Sequence, residues 1–152
     1  MSEKRHIEAR QLAQEAGESC ACLMVRQAAR RITRAYDEAL RPVGLKGTQF
    51  TMLAAIVSAH GQISLGEVAD RLDMERSTFS RNLNPLLRRG LVRHVDTMAG
   101  RRRAVVATDL GRETFLAAEP GWRRAQADVR QALAQDDMVP LLARLRSIGT
   151  PA

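Results

Sequence analysis

The stretch from Ser64 to Ala107 constrains the fold more than any other part of the chain, because its local signals come in an order few architectures accommodate. Ser64-Leu65-Gly66-Glu67 has the pattern of a capping box, in which the serine hydroxyl accepts from the Glu67 amide and the Glu67 carboxylate reaches back. It predicts a short helix through Leu72. After a tight Asp73-Met74 turn a second helix is predicted from Glu75 to Arg89, with Phe79, Leu83, Leu86 and Leu87 facing inward. Gly90 stands just past its end, where a left-handed backbone is easiest for glycine. Pro85 lacks the amide a helix interior needs, so the helix either kinks there or ends at Asn84. Leu91–Val95 and Arg103–Ala107 then alternate valine with arginine and histidine, the pattern of two strands joined by the polar tip Asp96–Arg102.

Two short helices joined by a tight turn and followed by a two-stranded hairpin make a winged helix-turn-helix. The arrangement suits DNA because a major groove admits one α-helix, which a preceding helix can brace across the backbone. The second helix opens Glu75-Arg76-Ser77-Thr78-Phe79-Ser80-Arg81-Asn82. With Phe79 inward, Arg76, Ser77, Thr78, Ser80, Arg81 and Asn82 are the candidate DNA contacts, joined by Arg101, Arg102 and Arg103 of the hairpin. Arginine and asparagine can read guanine and adenine edges, while serine and threonine mostly hold phosphates. A solvated helix face would carry similar residues; the arginines that follow at once in the hairpin favour the groove. The net charge is +7, and all but Lys4 and Lys46 of the 24 basic residues are arginine. A GC-rich coding bias explains that choice of residue but not its placement. Between Arg71 and Arg103 nine arginines face only Asp73, Glu75 and Asp96. A basic patch this concentrated suits a polyanion.

The flanks read as helices. Glu3–Glu15 has helix-forming composition with little apolar content, an arm rather than core. From Glu18 to Leu40, Cys22, Val25, Ala29, Ile32, Tyr36 and Leu40 form one stripe at helical spacing, ended by Pro42 and Gly44. Thr48–Ala59 is a further helix with Phe50, Leu53, Ala54 and Val57 inward. Thr108-Asp109 caps another, apolar at Leu110, Phe115 and Leu116, interrupted at Pro120-Gly121 and resuming from Trp122 to Leu133. Asp136 caps a last helix bearing Leu141, Leu142, Leu145 and Ile148. The expected class is mainly α with a small β-hairpin wing, one chain over 1–152. Residues 48–108 form the winged helix-turn-helix lobe, and 18–47 with 109–152 a helical dimerisation region.

Several function classes are disfavoured. The longest apolar run, Met52–Val57, is far too short to span a membrane, and the first residues lack the apolar centre of a signal peptide, so a cytoplasmic protein without membrane partner is expected. No Gly-rich phosphate loop, paired-histidine metal motif or nucleophile elbow is present, so no enzyme and no cofactor are expected. His6, His60 and His94 form no cluster, and Cys20 and Cys22 would hold As(III) or zinc only with a further ligand.

The run Leu65–Leu91, with its Arg76-Ser77-Thr78 opening and Arg88-Arg89-Gly90-Leu91-Val92 exit, resembles the MarR (multiple-antibiotic-resistance regulator) family. So does the hairpin followed by Thr108-x-x-Gly111. The likeness extends over Val25–Ile148, including Gly44-Leu45 and Thr48-Gln49-Phe50. The family's wing usually reads Asp-x-Arg-Asp-x-Arg. Asp96 and Arg101 fit, whereas Met98 and Ala99 replace an arginine and the second acid. The resemblance implies a homodimeric transcription regulator, a repressor on a palindromic DNA operator, assembled through its terminal helices and released by a small-molecule effector. Small aromatic acids are the common effectors, which makes Arg26, Arg30 and Tyr36 candidates for holding a carboxylate. Cys22 and Tyr36, fourteen residues apart, also match the reactive cysteine and its hydrogen-bonding tyrosine in the organic-hydroperoxide sensors of this family. The second tyrosine of those sensors falls at Arg26, which puts a positive charge one turn from Cys22, a setting that favours a thiolate. Cys22 is therefore either a thiol sensor, with Cys20 as a capturing thiol, or an inert member of the apolar stripe. If both cysteines are helical they do not face each other, and a mixed or intersubunit disulfide is the expected product. A non-specific architectural DNA-binding protein is the further alternative. It would bind promoter and random DNA with similar affinity.

Overall fold

The computed structural model describes residues 3–96, 103–133 and 138–148. Two helices, α1 (Glu3–Ser19) and α2 (Ala21–Leu40), precede a short 3-10 turn at Arg41–Val43. The series continues with α3 (Gly47–Val57), β1 (Ile63–Ser64), α4 (Leu65–Arg71), α5 (Arg76–Arg88), β2 (Val92–Asp96), β3 (Arg103–Ala107), α6 (Asp109–Ala132) and α7 (Met138–Ser147). The chain divides into two compact units, one ending at Arg34 and one beginning at Ala35.

In the second unit, α3 is the central element. It packs against α4, α5, α6 and β3, and buries Phe50, Met52, Leu53 and Ile56. Sequence periodicity placed Ala54 and Val57 inward, yet both are only half-buried while Met52 and Ile56 are fully covered. An apolar helix with neighbours on several sides has no single inward stripe to find. The strands form a three-stranded antiparallel sheet ordered β1-β3-β2, with Ile63 opposite Val105 and Val92 opposite Ala107. β1 has only two residues and gives no periodic signal, so sequence reasoning missed it.

The capping box forms as predicted: the Glu67 amide donates to Ser64 Oγ, and the Ser64 amide to Glu67 Oε2, each at 3.1 Å. The turn between α4 and α5 is closed at Asp73, whose φ of 48° is one that aspartate tolerates better than most residues. α5 continues through Pro85, so the helix does not end at Asn84. At its end the Gly90 amide reaches Leu87 O and the Leu91 amide reaches Leu86 O, a Schellman closure with Gly90 at φ 67°.

α6 corrects the sequence reading. It is one continuous helix with Pro120 inside it, not two pieces. A Cβ on Gly121 would lie 2.3 Å from Ala39 O, so the glycine marks close helix crossing rather than a break. Gly111 plays the same part at the start of α6, where a Cβ would lie 2.0 Å from Leu91 O. Thr108 caps this end by accepting from the Gly111 amide at 3.0 Å, while its hydroxyl donates to Gly90 O at 2.6 Å. The Thr108-x-x-Gly111 pattern thus seats α6 on the exit of α5. The predicted cap Asp136 lies outside the described residues.

Candidate nucleic-acid interface

α5 is held from one side by Phe79, Leu83 and Leu86, all buried. On the opposite side Arg76, Ser77, Ser80 and Arg81 are exposed. Their spacing pairs Arg76 with Ser80 and Ser77 with Arg81 on adjacent turns, so the four share one face. Thr78 is half-buried at the edge of that face, with its hydroxyl 3.4 Å from Arg81 Nη2. Glu75 stands immediately before this opening turn, and Glu67 and Asp70 of α4 line the same cleft as Arg76 and Ser80. The face therefore offers two guanidinium groups and several short hydroxyl donors, with an apolar base that fixes the helix behind them. Arg71 on α4 and Arg93 on β2 are exposed as well.

Asn82 sits differently from its neighbours. It is half-buried, its Oδ1 accepts from Thr48 Oγ1 at 3.0 Å, and its Nδ2 donates to Thr78 O at 2.9 Å. Arg103 opens β3, with its side chain outside the described residues, as are Arg101 and Arg102. Sequence reasoning singled out neither Thr48 nor Arg89 as a partner of α5. Nothing local marks them, since both act on carbonyls or side chains more than thirty residues away.

The candidate effector residues fall in different places. Arg26 and Arg30 are exposed on α2, Cys22 is exposed, and Cys20 is half-buried in the break between α1 and α2. Cys20 is therefore not helical, although its carbonyl accepts the Met24 amide at 3.0 Å. Tyr36 is half-buried and its hydroxyl donates to Gln126 Oε1 on α6. Burial pushes its phenol above the usual tyrosine range, and the positive charge of Arg130 opposes that shift. Gln126 and Arg130 lie one turn apart on α6, with Trp122 a turn before them. Trp122 and Phe115 flank Phe50, with ring centroids 6.0 and 5.0 Å from it. Among the described residues no three His, Cys, Asp or Glu side chains come together as metal ligands, and no helix is long and apolar enough to cross a membrane.

This geometry, a braced basic helix followed by a small antiparallel sheet, is that of the winged helix-turn-helix regulators. Residues 43–103 match the family model described as the MarR family. The M. tuberculosis transcriptional regulator MosR is similar at 37% identity, with a TM-score of 0.75 over 87% of this chain and 94% of that one. MosR in complex with DNA gives 36% identity and a TM-score of 0.71, over 87% and 100% of the two chains. The transcriptional repressor CouR bound to p-coumaroyl-CoA gives 27% identity and a TM-score of 0.77, over 91% and 96%. No curated protein sequence matches significantly. The chain belongs to the MarR family of transcription regulators.

Proposed function

We propose that the protein is a sequence-specific repressor that binds an inverted-repeat operator as a homodimer and leaves it when a small molecule binds. The observation that carries this reading is the exposed face of Arg76, Ser77, Ser80 and Arg81 on a helix anchored by Phe79, Leu83 and Leu86. Two such helices related by a two-fold axis would meet successive major grooves about 34 Å apart. The apolar residues left exposed on α7, Val139 and Leu142 among them, support assembly with a second copy. For the effector, Tyr36, Gln126 and Arg130 offer a hydroxyl, an amide and a cation close to Trp122, a set that suits an aromatic carboxylate or its thioester. CouR, bound to p-coumaroyl-CoA, is a relative with a ligand of that kind. The test is Arg81→Ala. It is expected to lose about 1–3 kcal/mol on a selected operator and to relax preference at one base pair. Binding and preference equal to the parent would remove α5 from the interface.

A second reading, a thiol sensor of the same fold, is favoured by one observation: Cys22 is exposed and Cys20 interrupts the helix beside it. The Cys22 thiolate would attack a peroxide oxygen, the O–O bond would break with hydroxide leaving, and the sulfenic acid would be captured by Cys20 or a small thiol with loss of water. Because Cys20 is not helical, the spacing that keeps helical residues two apart from facing each other does not govern this pair. Operator binding with and without peroxide, in the parent and in Cys22→Ser, decides it. Equal insensitivity of the two proteins leaves the non-covalent effector as the reading.

A further inference from the structure

We propose that Asn82 and Arg89 do not read DNA but are positioning residues, two anchors that together set the roll and tilt of α5. The inference rests on the reading of α5 as the DNA helix and concerns what holds it there. To read adenine, asparagine must present both its oxygen and its amide to the base edge. In Asn82 the oxygen takes the Thr48 hydroxyl and the amide gives a hydrogen to Thr78 O. Both ends of the side chain are thus engaged within the protein, and the group is half-buried. Thr48 is itself fixed, because it lies at the start of α3 where the Gly47 amide donates to Asp37 Oδ1 at 2.7 Å. A Cβ on Gly47 would come within 3.2 Å of Tyr36 Cβ, so the start of α3 is pressed on the end of α2. A polar chain therefore runs from Asp37 through Gly47 and Thr48 to Asn82.

The second anchor is at the far end of the helix. Arg89 sends Nη2 to Val43 O at 2.9 Å and Nη1 to Gly44 O. These carbonyls belong to the turn that closes α2, where Gly44 at φ 67° leaves helix-end acceptors without helical partners. The guanidinium fork meets two of them at once. Asn82 and Arg89 are seven residues apart, about 10 Å along the helix axis at 1.5 Å per residue.

Two separated anchors fix what the apolar contacts of Phe79, Leu83 and Leu86 leave free, since apolar attraction has no direction. A roll of about 10° moves a point about 6 Å from the helix axis by about 1 Å. Base-edge hydrogen bonds tolerate less than that, because their useful range is about 2.7–3.2 Å. The anchors act on Arg76 and Arg81 together, through the whole helix.

The experiment uses the full-length protein and a duplex that the parent enriches from a randomised pool. Affinity for that duplex and for each single-base variant of it is measured at a series of salt concentrations. Thr48→Val and Asn82→Ala are each expected to weaken binding about three- to ten-fold, with the double variant no weaker than either single one. The loss should fall on all positions of the half-site, and Thr48→Ser, which keeps the hydroxyl, should bind like the parent. Arg89→Gln, at the exposed anchor, carries the same expectation without disturbing the interior, and its salt slope should equal the parent's. Loss of preference at one base pair in Asn82→Ala, with Thr48→Val binding like the parent, would overturn the assignment for Asn82. A salt slope reduced by about one in Arg89→Gln would make Arg89 a phosphate contact and overturn its part. If the parent enriches no sequence, the reading of α5 itself fails.

Discussion

The lobe around α3 and the helices α1 and α7 use apolar residues in opposite ways. In the lobe, Met52, Leu53, Val68, Leu86 and Val105 are all but inaccessible, and no buried side-chain polar atom among the described residues lacks a partner. α1 buries nothing, and leaves Ile7 and Leu12 exposed. α7 buries Met138 yet exposes Val139 by 79%, Leu142 by 40% and Leu145 by 41%. The difference teaches that the chain completes its own core around α5 but carries apolar surface it does not itself cover. That surface is where the proposed second copy would sit.

The comparison is broken most severely where the lobe has no spare volume. Gly111→Ala and Gly121→Ala each force a Cβ onto a backbone carbonyl that cannot be moved by a side-chain rotation. Each is expected to lose about 3 kcal/mol or more, read as a fall in thermal midpoint by circular dichroism. A parent-like midpoint would mean that α6 does not lie against Leu91 and Ala39 as described. Leu142→Glu with Leu145→Glu probes the other region. The expected outcome is conversion of the proposed dimer to monomer in analytical ultracentrifugation, with a folded lobe remaining. Unchanged mass would move the interface elsewhere.

A smaller effect sharpens the comparison inside the lobe. Ser64→Ala removes the hydroxyl that caps α4 and is expected to destabilise by about 1 kcal/mol, measured in urea. An effect several times larger would show that the cap does more than satisfy one amide. The smallest effect concerns Tyr36. Its phenol is held above the usual range chiefly by burial, so the folded state keeps the proton longer than the unfolded chain. Stability from this group is intact below about pH 10 and declines as pH rises through the folded value. Tyr36→Phe should show a shallower alkaline loss of stability above about pH 10 than the parent. Identical slopes would mean that another group dominates there.

The local elements were legible in the sequence because their causes are local. Ser64 and Glu67 satisfy each other three residues apart, Gly90 ends α5 through its own backbone, and alternating valines mark β2 and β3. The outward side of α5, with Arg76 and Arg81 exposed, was legible too, since Phe79, Leu83 and Leu86 fix which side turns inward. What only the tertiary structure decided depends on neighbours distant in sequence. Pro120-Gly121 reads as a break until Ala39 O is found against the missing Cβ, and β1 exists only because β3 pairs with it. That Thr48, thirty-four residues earlier, donates to the oxygen of Asn82 is likewise visible only in the tertiary structure. Composition and spacing decide which residues can make a helix, a cap or a basic face. Which hydrogen-bonding groups remain free is decided by packing, because a partner far along the chain leaves no periodic trace in the sequence.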